Sequence, residues 1–245
     1  MQLVLKFKCD RLELPIHYNH IIQGFIYSNL SNKDFREFLH EEGFKENNRR
    51  FKLFTFSKLI GRYEIDKLKK TITFLDSFNL VVCSIVDDFI NDLAKTCLLS
   101  EDLHLNNQRI RLIGIDTSQI INIESSVKVA TLSPIVTYST VNIEGRKRTI
   151  YHSPEDAIFQ KHIKENLIKK ANAIGESLDS NTNFEINILD EGKLKESPTY
   201  FKDIYIKGYS GVFEIKGNTR LINLALNCGI GSKNSQGFGC LELVK

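Results

Sequence analysis

No stretch of the 245 residues stays apolar for the roughly 18 positions that a membrane-spanning helix requires, so no helical span and no membrane partner are expected. Cysteine is scattered: Cys9, Cys83, Cys97, Cys228 and Cys240 are odd in number and none forms a CxxC pair. That pattern argues against a disulfide framework or a zinc knuckle and makes a reducing cytoplasm the expected compartment. A large charge of one sign is also missing. Lys and Arg number 33 against 30 Asp and Glu, and a net +3 neither announces nor excludes a nucleic-acid partner. Met1–Asp10 alternates apolar and polar residues around Lys6 and Lys8, which is strand sequence and not a secretion signal. What is present is ordinary globular composition, 42% apolar and 26% charged, over a length suited to one large domain or two small ones.

The pattern of elements repeats. In the first half, Gln2–Lys8 has the period of a half-buried strand, and Ile22, Phe25, Ile26 and Leu30 recur at helical spacing after Pro15. Ser31 is expected to cap a short helix over Asn32–Leu39. Phe51–Ile65, Lys70–Phe74 and Leu80–Ser84 read as strands, Val86–Leu98 as a helix with Phe89, Ile90, Leu93 and Cys97 inward, and Arg109–Ile115 as a strand. In the second half, Val127–Leu132 and Ile135–Val141 are strand-like, and Ser153-Pro154-Glu155 reads as a helix start, that helix ending near Gly175. Phe184–Leu189, Phe201–Ile206, Gly211–Lys216 and Phe238–Val244 follow as strands, with Asn218 capping a helix through Leu226. Each half reads β-α-β-β-α-β, so the expected fold is α+β, two tandem ferredoxin-like domains over residues 1–118 and 119–245. The boundary is expected near Asp116–Ser126, where Thr, Ser, Asn and Gln cluster.

Charge is strong locally. Residues 45–70 carry nine bases and three acids, net +6, with Arg49, Arg50, Lys52, Lys58 and Arg62 among aromatic residues. Residues 76–104 carry net −5. Arg146-Lys147-Arg148 is a second basic site, expected in a turn. Arginines and lysines interleaved with rings suit phosphates and bases, though a solvated surface over core aromatics has the same composition. Near the C-terminus, Gly229, Gly231, Gly237 and Gly239 bracket Lys233, Asn234 and Ser235. Glycine lets a chain turn with positive φ, and successive free N–H groups beside a lysine make an anion-binding concavity. The loop is neither a Walker loop nor a dinucleotide fingerprint, because it lacks GKS/T and only six residues follow it. A tight structural turn is the other reading. His17 and His20, three apart, find no completing metal ligands, and Asp87, Asp88 and Asp92 have the spacing of a wet helix face.

The glycine loop resembles that of the RAMP superfamily of CRISPR-associated proteins. More narrowly, Leu14-Pro15 through Gln23-Gly24-Phe25-Ile26-Tyr27, Phe38-Leu39-His40-Glu41, Phe51-Lys52-Leu53-Phe54-Thr55-Phe56-Ser57 and Thr131-Leu132-Ser133-Pro134-Ile135 resemble, in order, segments of the Cas6 endoribonucleases. The resemblance implies metal-independent cutting of CRISPR repeat RNA, with no cofactor. The ribose 2′-hydroxyl attacks the adjacent phosphorus and leaves a 2′,3′-cyclic phosphate and a 5′-hydroxyl. Tyr27, His40 and Lys52 fall on the family's catalytic positions. Imidazole gives and takes protons near neutrality and an ammonium can stabilise phosphorane charge, while the base could be His40 or Tyr27. RNA contacts are expected from Arg49, Arg50, Lys58, Arg62, Arg146, Lys147, Arg148, Lys233, Asn234, Ser235 and the four loop glycines. The alternative is a non-cleaving RAMP subunit that binds repeat RNA in an effector complex. Monomer and homodimer both stay open.

Overall fold

The computed structural model describes residues 1–119 and 123–244, so part of the expected boundary stretch lies outside the described residues. The first half runs β1 (Gln2–Pro15), α1 (Asn19–Ser28), α2 (Lys33–Glu37) with a π-helical turn over Phe38–Glu42, β2 (Phe44–Glu46), β3 (Arg49–Phe51), β4 (Phe54–Phe56), β5 (Ile60–Asp66), β6 (Thr71–Ser84), α3 (Asp87–Leu99), β7 (Leu103–Leu105) and β8 (Gln108–Ser118). The second runs β9 (Ser126–Thr131), β10 (Tyr138–Ile143), β11 (Arg146–Tyr151), α4 (Ala157–Ala173), β12 (Phe184–Ile188), β13 (Lys195–Phe201), β14 (Ile204–Ser210), β15 (Val212–Gly217), α5 (Thr219–Cys228) and β16 (Leu241–Leu243). The main antiparallel sheets have orders β4-β6-β1-β8 and β12-β15-β9-β16. Numbered within each half, both read 2-3-1-4, the order of a ferredoxin-like sheet. The fold is α+β with this unit in tandem.

Burial explains the elements. In β1, Leu3, Leu5, Phe7 and Cys9 are buried, and a bulge between Lys8 and Arg11 moves the inward set to Leu12 and Leu14. Phe25 and Ile26 of α1 and Phe89, Ile90 and Leu93 of α3 cover that face. In the second half, Phe159, Ile163 and Leu167 of α4 and Leu221 and Ala225 of α5 cover Val129, Phe213 and Ile215. The halves meet where Val81 and Cys83 of β6 pack with Cys240 and Leu132. Among the described residues no helix is long and apolar enough to cross a membrane.

Several elements depart from expectation. The apolar run from Phe51 is not one strand, because Leu53 takes a left-handed φ of 54° between β3 and β4. Lys70 is a turn residue with φ 54°, and Thr71–Phe74 and Leu80–Ser84 belong to the single long strand β6. Ile135 makes only an isolated bridge, to Tyr209. The Ser153–Asp156 stretch closes on itself, Ser153 N donating to the Asp156 carboxylate at 2.7 Å and Asp156 N to Ser153 O at 2.9 Å, so α4 begins only at Ala157. Phe201–Ile206 is a hairpin turn, with Lys202 and Asp203 at φ 47° and 65°. Arg146-Lys147-Arg148 lies in β11, just after the turn at Glu144-Gly145.

The short helix α2 is capped by Asn32, whose side chain accepts from Phe35 N at 3.0 Å. Ser31 is recruited elsewhere: its N–H donates to the Asp92 carboxylate at 2.9 Å, its hydroxyl donates to the other carboxylate oxygen, and Asn32 N adds a 3.2 Å bond. Asp92 therefore pins the start of the α2 segment, which carries His40, to α3. Asp92→Ala is expected to cost about 1–2 kcal/mol, a fall of several degrees in Tm by calorimetry. An unchanged Tm would show that this carboxylate carries no structural load.

Candidate active site

Between the halves lies a cleft of about 710 Å³. Arg49, Arg50 and Lys52 come to it from β3 and the chain after it, Lys169 and Lys170 from α4, and Lys233 from the glycine loop. Six cations therefore face Glu165, the one carboxylate on the cleft wall among the described residues. His162 and Tyr138 line it as well. The α4 contribution was readable only in outline: His162, Glu165, Asn166 and Lys169 recur at helical spacing beside the stripe of Phe159, Ile163 and Leu167, a polar stripe that the sequence does not aim at any partner.

Of the three expected catalytic residues only Lys52 lines this cleft, and Tyr27 and His40 lie next to each other beside it. Tyr27, near the end of α1, is half-buried, its ring 5.8 Å from Phe54 and 6.0 Å from the His40 imidazole. Burial pushes its phenol up to about 12, so it keeps its proton at neutral pH. His40 is exposed on the π-helical turn, and its Nδ1 lies 2.6 Å from Glu41 Oε1. A carboxylate on Nδ1 holds a proton there and turns Nε2 out as the free acid–base atom. Lys52 Nζ donates to the His40 carbonyl at 2.7 Å, and Arg50 Nη1 to that of Glu41 at 2.7 Å. Burial, then the neighbouring Arg50, lower the Lys52 ammonium from its ordinary value. Tyr27 and His40 line a separate small hollow of about 190 Å³, while Lys52 lines the main cleft.

The glycine loop is built differently from a loop of exposed glycines. Gly229, Gly231, Gly237 and Gly239 are all buried, and only Ser232–Gln236 reaches solvent. Gly237 has φ 83°, and a Cβ there would strike the Phe56 ring and the Asn19 side chain. At Gly239, φ 71°, it would strike the Ile230 carbonyl. These glycines shape the loop through close packing. Lys233, Asn234 and Ser235 present its rim to the cleft.

A buried lysine holds that rim. Lys170 donates to Gly229 O at 2.7 Å and to Asn234 Oδ1 at 2.8 Å, and the Asn234 amide donates onward to the Ile230 and Phe238 carbonyls at 2.9 and 3.0 Å. Desolvation lowers the Lys170 ammonium to about 8, against a weak opposing effect of the Cys228 thiol. On the other side, Gln23 and Asn19 of α1 donate to the Ser235 and Gln236 carbonyls at 2.7 and 2.9 Å. Lys58, Arg62 and Arg146–Arg148 are exposed but lie outside the cleft. Lys170 is an interior residue, 2% exposed, although it stands in a helix rich in surface lysines.

The family described as "CRISPR associated protein Cas6, C-terminal" matches residues 117–243, just over half of the chain. The chain belongs to the Cas6 family. It is 27% identical over 253 residues to CRISPR-associated endoribonuclease Cas6 1 of Methanocaldococcus jannaschii, covering 100% of this chain and 93% of that protein. A solved structure described as "CRISPR associated protein Cas6" superposes with a TM-score of 0.80 at 26% identity, covering 100% of this chain and 99% of the other. Another, described as "An RAMP protein binding different RNA substrates", shares the fold with a TM-score of 0.82 at 23% identity and full coverage of both. In this Cas6-family chain the match begins at the end of β8, so Tyr27, His40 and Lys52 lie before it.

Proposed function

We propose that this chain is an endoribonuclease that processes precursor CRISPR RNA, cutting within the repeat without a metal ion. Family membership supports the substrate class. The observation that carries the site is the place of Lys52, which lines the basic cleft and is hydrogen-bonded to the His40 backbone. A strand held in the cleft by Arg49, Arg50, Lys169 and Lys233 would thus bring a phosphate past Lys52 towards His40. His40 Nε2 takes the proton of the ribose 2′-hydroxyl, the 2′-oxygen bonds to phosphorus, and the bond to the 5′-oxygen breaks. Tyr27, protonated at neutral pH, donates to a phosphoryl oxygen. Lys52 stabilises the developing charge, and its lowered ammonium supplies the proton to the departing oxygen. The products are a 2′,3′-cyclic phosphate and a 5′-hydroxyl. The two halves, 1–118 and 119–245, act as two domains with the strand between them, in the cytoplasm.

One observation favours a second reading, a subunit that binds repeat RNA without cutting it: Tyr27 and His40 open onto their own hollow and not onto the cleft. A single assay separates the two. Repeat RNA is incubated with the protein in EDTA, beside RNA carrying one 2′-deoxynucleotide 5′ of the scissile phosphate. Cutting in EDTA with none of the deoxy substrate is expected. Cutting that needs a metal, or that survives the deoxy substitution, overturns the mechanism, and tight binding with no cutting selects the second reading.

A further inference from the structure

Outside the cleft the surface carries a file of aromatic rings. It starts at Tyr138 on the cleft wall, where the Lys233 ammonium lies 5.5 Å over the ring. From Tyr138 the centroids step 6.0 Å to Tyr151, 6.4 Å to Tyr205, 5.6 Å to Tyr200 and 5.2 Å to His17. The Tyr151 hydroxyl donates to Tyr205 O at 2.7 Å and fixes one hairpin against the next. Tyr200 and Tyr205 are 47% and 44% exposed, large apolar rings left in water. Successive planes lie 59° to 81° apart, so the rings do not cover one another's faces.

Cations flank the file at both ends. The β10–β11 register pairs Tyr138 with Tyr151 and Asn142 with Lys147, and alternation puts Lys147 on the same face. At the far end, Lys58 and Lys70 stand close enough to His17 to lower its imidazole, after burial itself. Glu196, the acid nearest Tyr200 on its face of β13, is already paired with Lys207 at 2.5 Å. Exposed rings continuous with a basic cleft and bordered by lysines match one chemistry, a single strand whose bases stack while its phosphates meet cations. Cations at both ends of the file favour a polyanionic strand over a protein surface as its occupant.

We propose that Tyr138, Tyr151, Tyr205 and Tyr200, ending at His17, form a stacking track for unpaired bases of the bound RNA, leading the strand out of the cleft along the β10–β11 and β13–β14 hairpins. The track rests on the RNA-processing reading above and adds to it a subsite for single-stranded nucleotides beyond the cut. It also gives Lys58 and Lys147, which the cleft leaves out, a phosphate to meet.

The test uses repeat RNA with single 2-aminopurine substitutions along its unpaired positions, titrated into the full-length protein. At least one position is quenched on binding, and Tyr200→Ala/Tyr205→Ala removes that quenching. The double alanine variant weakens binding about tenfold per ring lost, with an unchanged salt slope because no phosphate contact is removed. Tyr200→Phe/Tyr205→Phe keeps both affinity and quenching. A double alanine variant with wild-type melting, affinity and quenching overturns the track and leaves these rings to a protein partner. The underlying reading fails separately, when the wild-type protein binds no repeat RNA even at low salt.

Discussion

His40→Ala is expected to slow cleavage of repeat RNA by two to four orders of magnitude, measured in single turnover, while the dissociation constant moves by no more than about threefold. The asymmetry follows from the surroundings of the residue. Its imidazole is exposed, and the turn that carries it is held through backbone atoms, the His40 carbonyl by Lys52 and the Glu41 carbonyl by Arg50. Alanine leaves both bonds in place, so the cleft keeps its shape and only the proton-transfer group is lost. Glu41→Gln is expected to act more mildly and in the same direction, since a neutral amide oxygen still meets Nδ1 but holds the ring in place less firmly than a carboxylate. Equal losses of binding and cleavage in His40→Ala would make the residue structural.

The second large effect falls on a residue far from the reacting atoms. Lys170→Met keeps the volume but leaves Gly229 O and Asn234 Oδ1 without a donor, and is expected to cost about 2–4 kcal/mol, a Tm lower by roughly 5–15 °C. RNA affinity falls with it, because Asn234 and Ser235 form the rim that faces the cleft. Two neutral oxygens accept from Lys170 and, among the described residues, no carboxylate pairs with its ammonium, which agrees with its lowered value of about 8. Unfolded lysine titrates near 10.4, so between pH 8 and that value the unfolded chain binds the additional proton. Stability then rises with pH in this window, by about 1 kcal/mol from pH 8 to 9. Denaturant melts of wild type and Lys170→Met at these pH values isolate the difference, and parallel curves would mean that Lys170 is not the titrating group.

Much of the fold was legible because burial imposes periods. Alternation marked β1, the spacing of Phe89, Ile90, Leu93 and Cys97 marked α3, and Asn218 caps α5 as expected, its side chain accepting from Arg220 N at 2.9 Å. Misreadings gathered where the backbone takes conformations that composition does not advertise. The turn between β13 and β14 uses Lys202-Asp203 in place of the usual Asn-Gly or Asp-Gly, and Leu53 turns left-handed in the middle of an apolar run. The site was legible in its chemistry more than in its layout. The basic run did supply Arg49, Arg50 and Lys52 to the cleft, but charge alone could not separate them from Lys58 and Arg62. Nor could it show that Lys170 points inward, since a lysine on a helix is usually wet.

The burial of the loop glycines bears on how the chain acquires its structure during synthesis. Thr55 Oγ1 donates to Phe238 O at 2.9 Å, Asn19 donates to the Gln236 and Gly237 carbonyls, and Phe56 packs on Gly237, contacts that span more than 180 positions. A chain emerging from the ribosome completes α1 and β4 long before these partners exist. The edge of the first sheet therefore waits, open, until the residues of the glycine loop have been translated. Long-range closure of this kind is slow and leaves a strand edge available to wrong partners. Substitutions at Gly237 or Gly239 should accordingly lower the yield of soluble protein more than they lower the activity of the molecules that do fold.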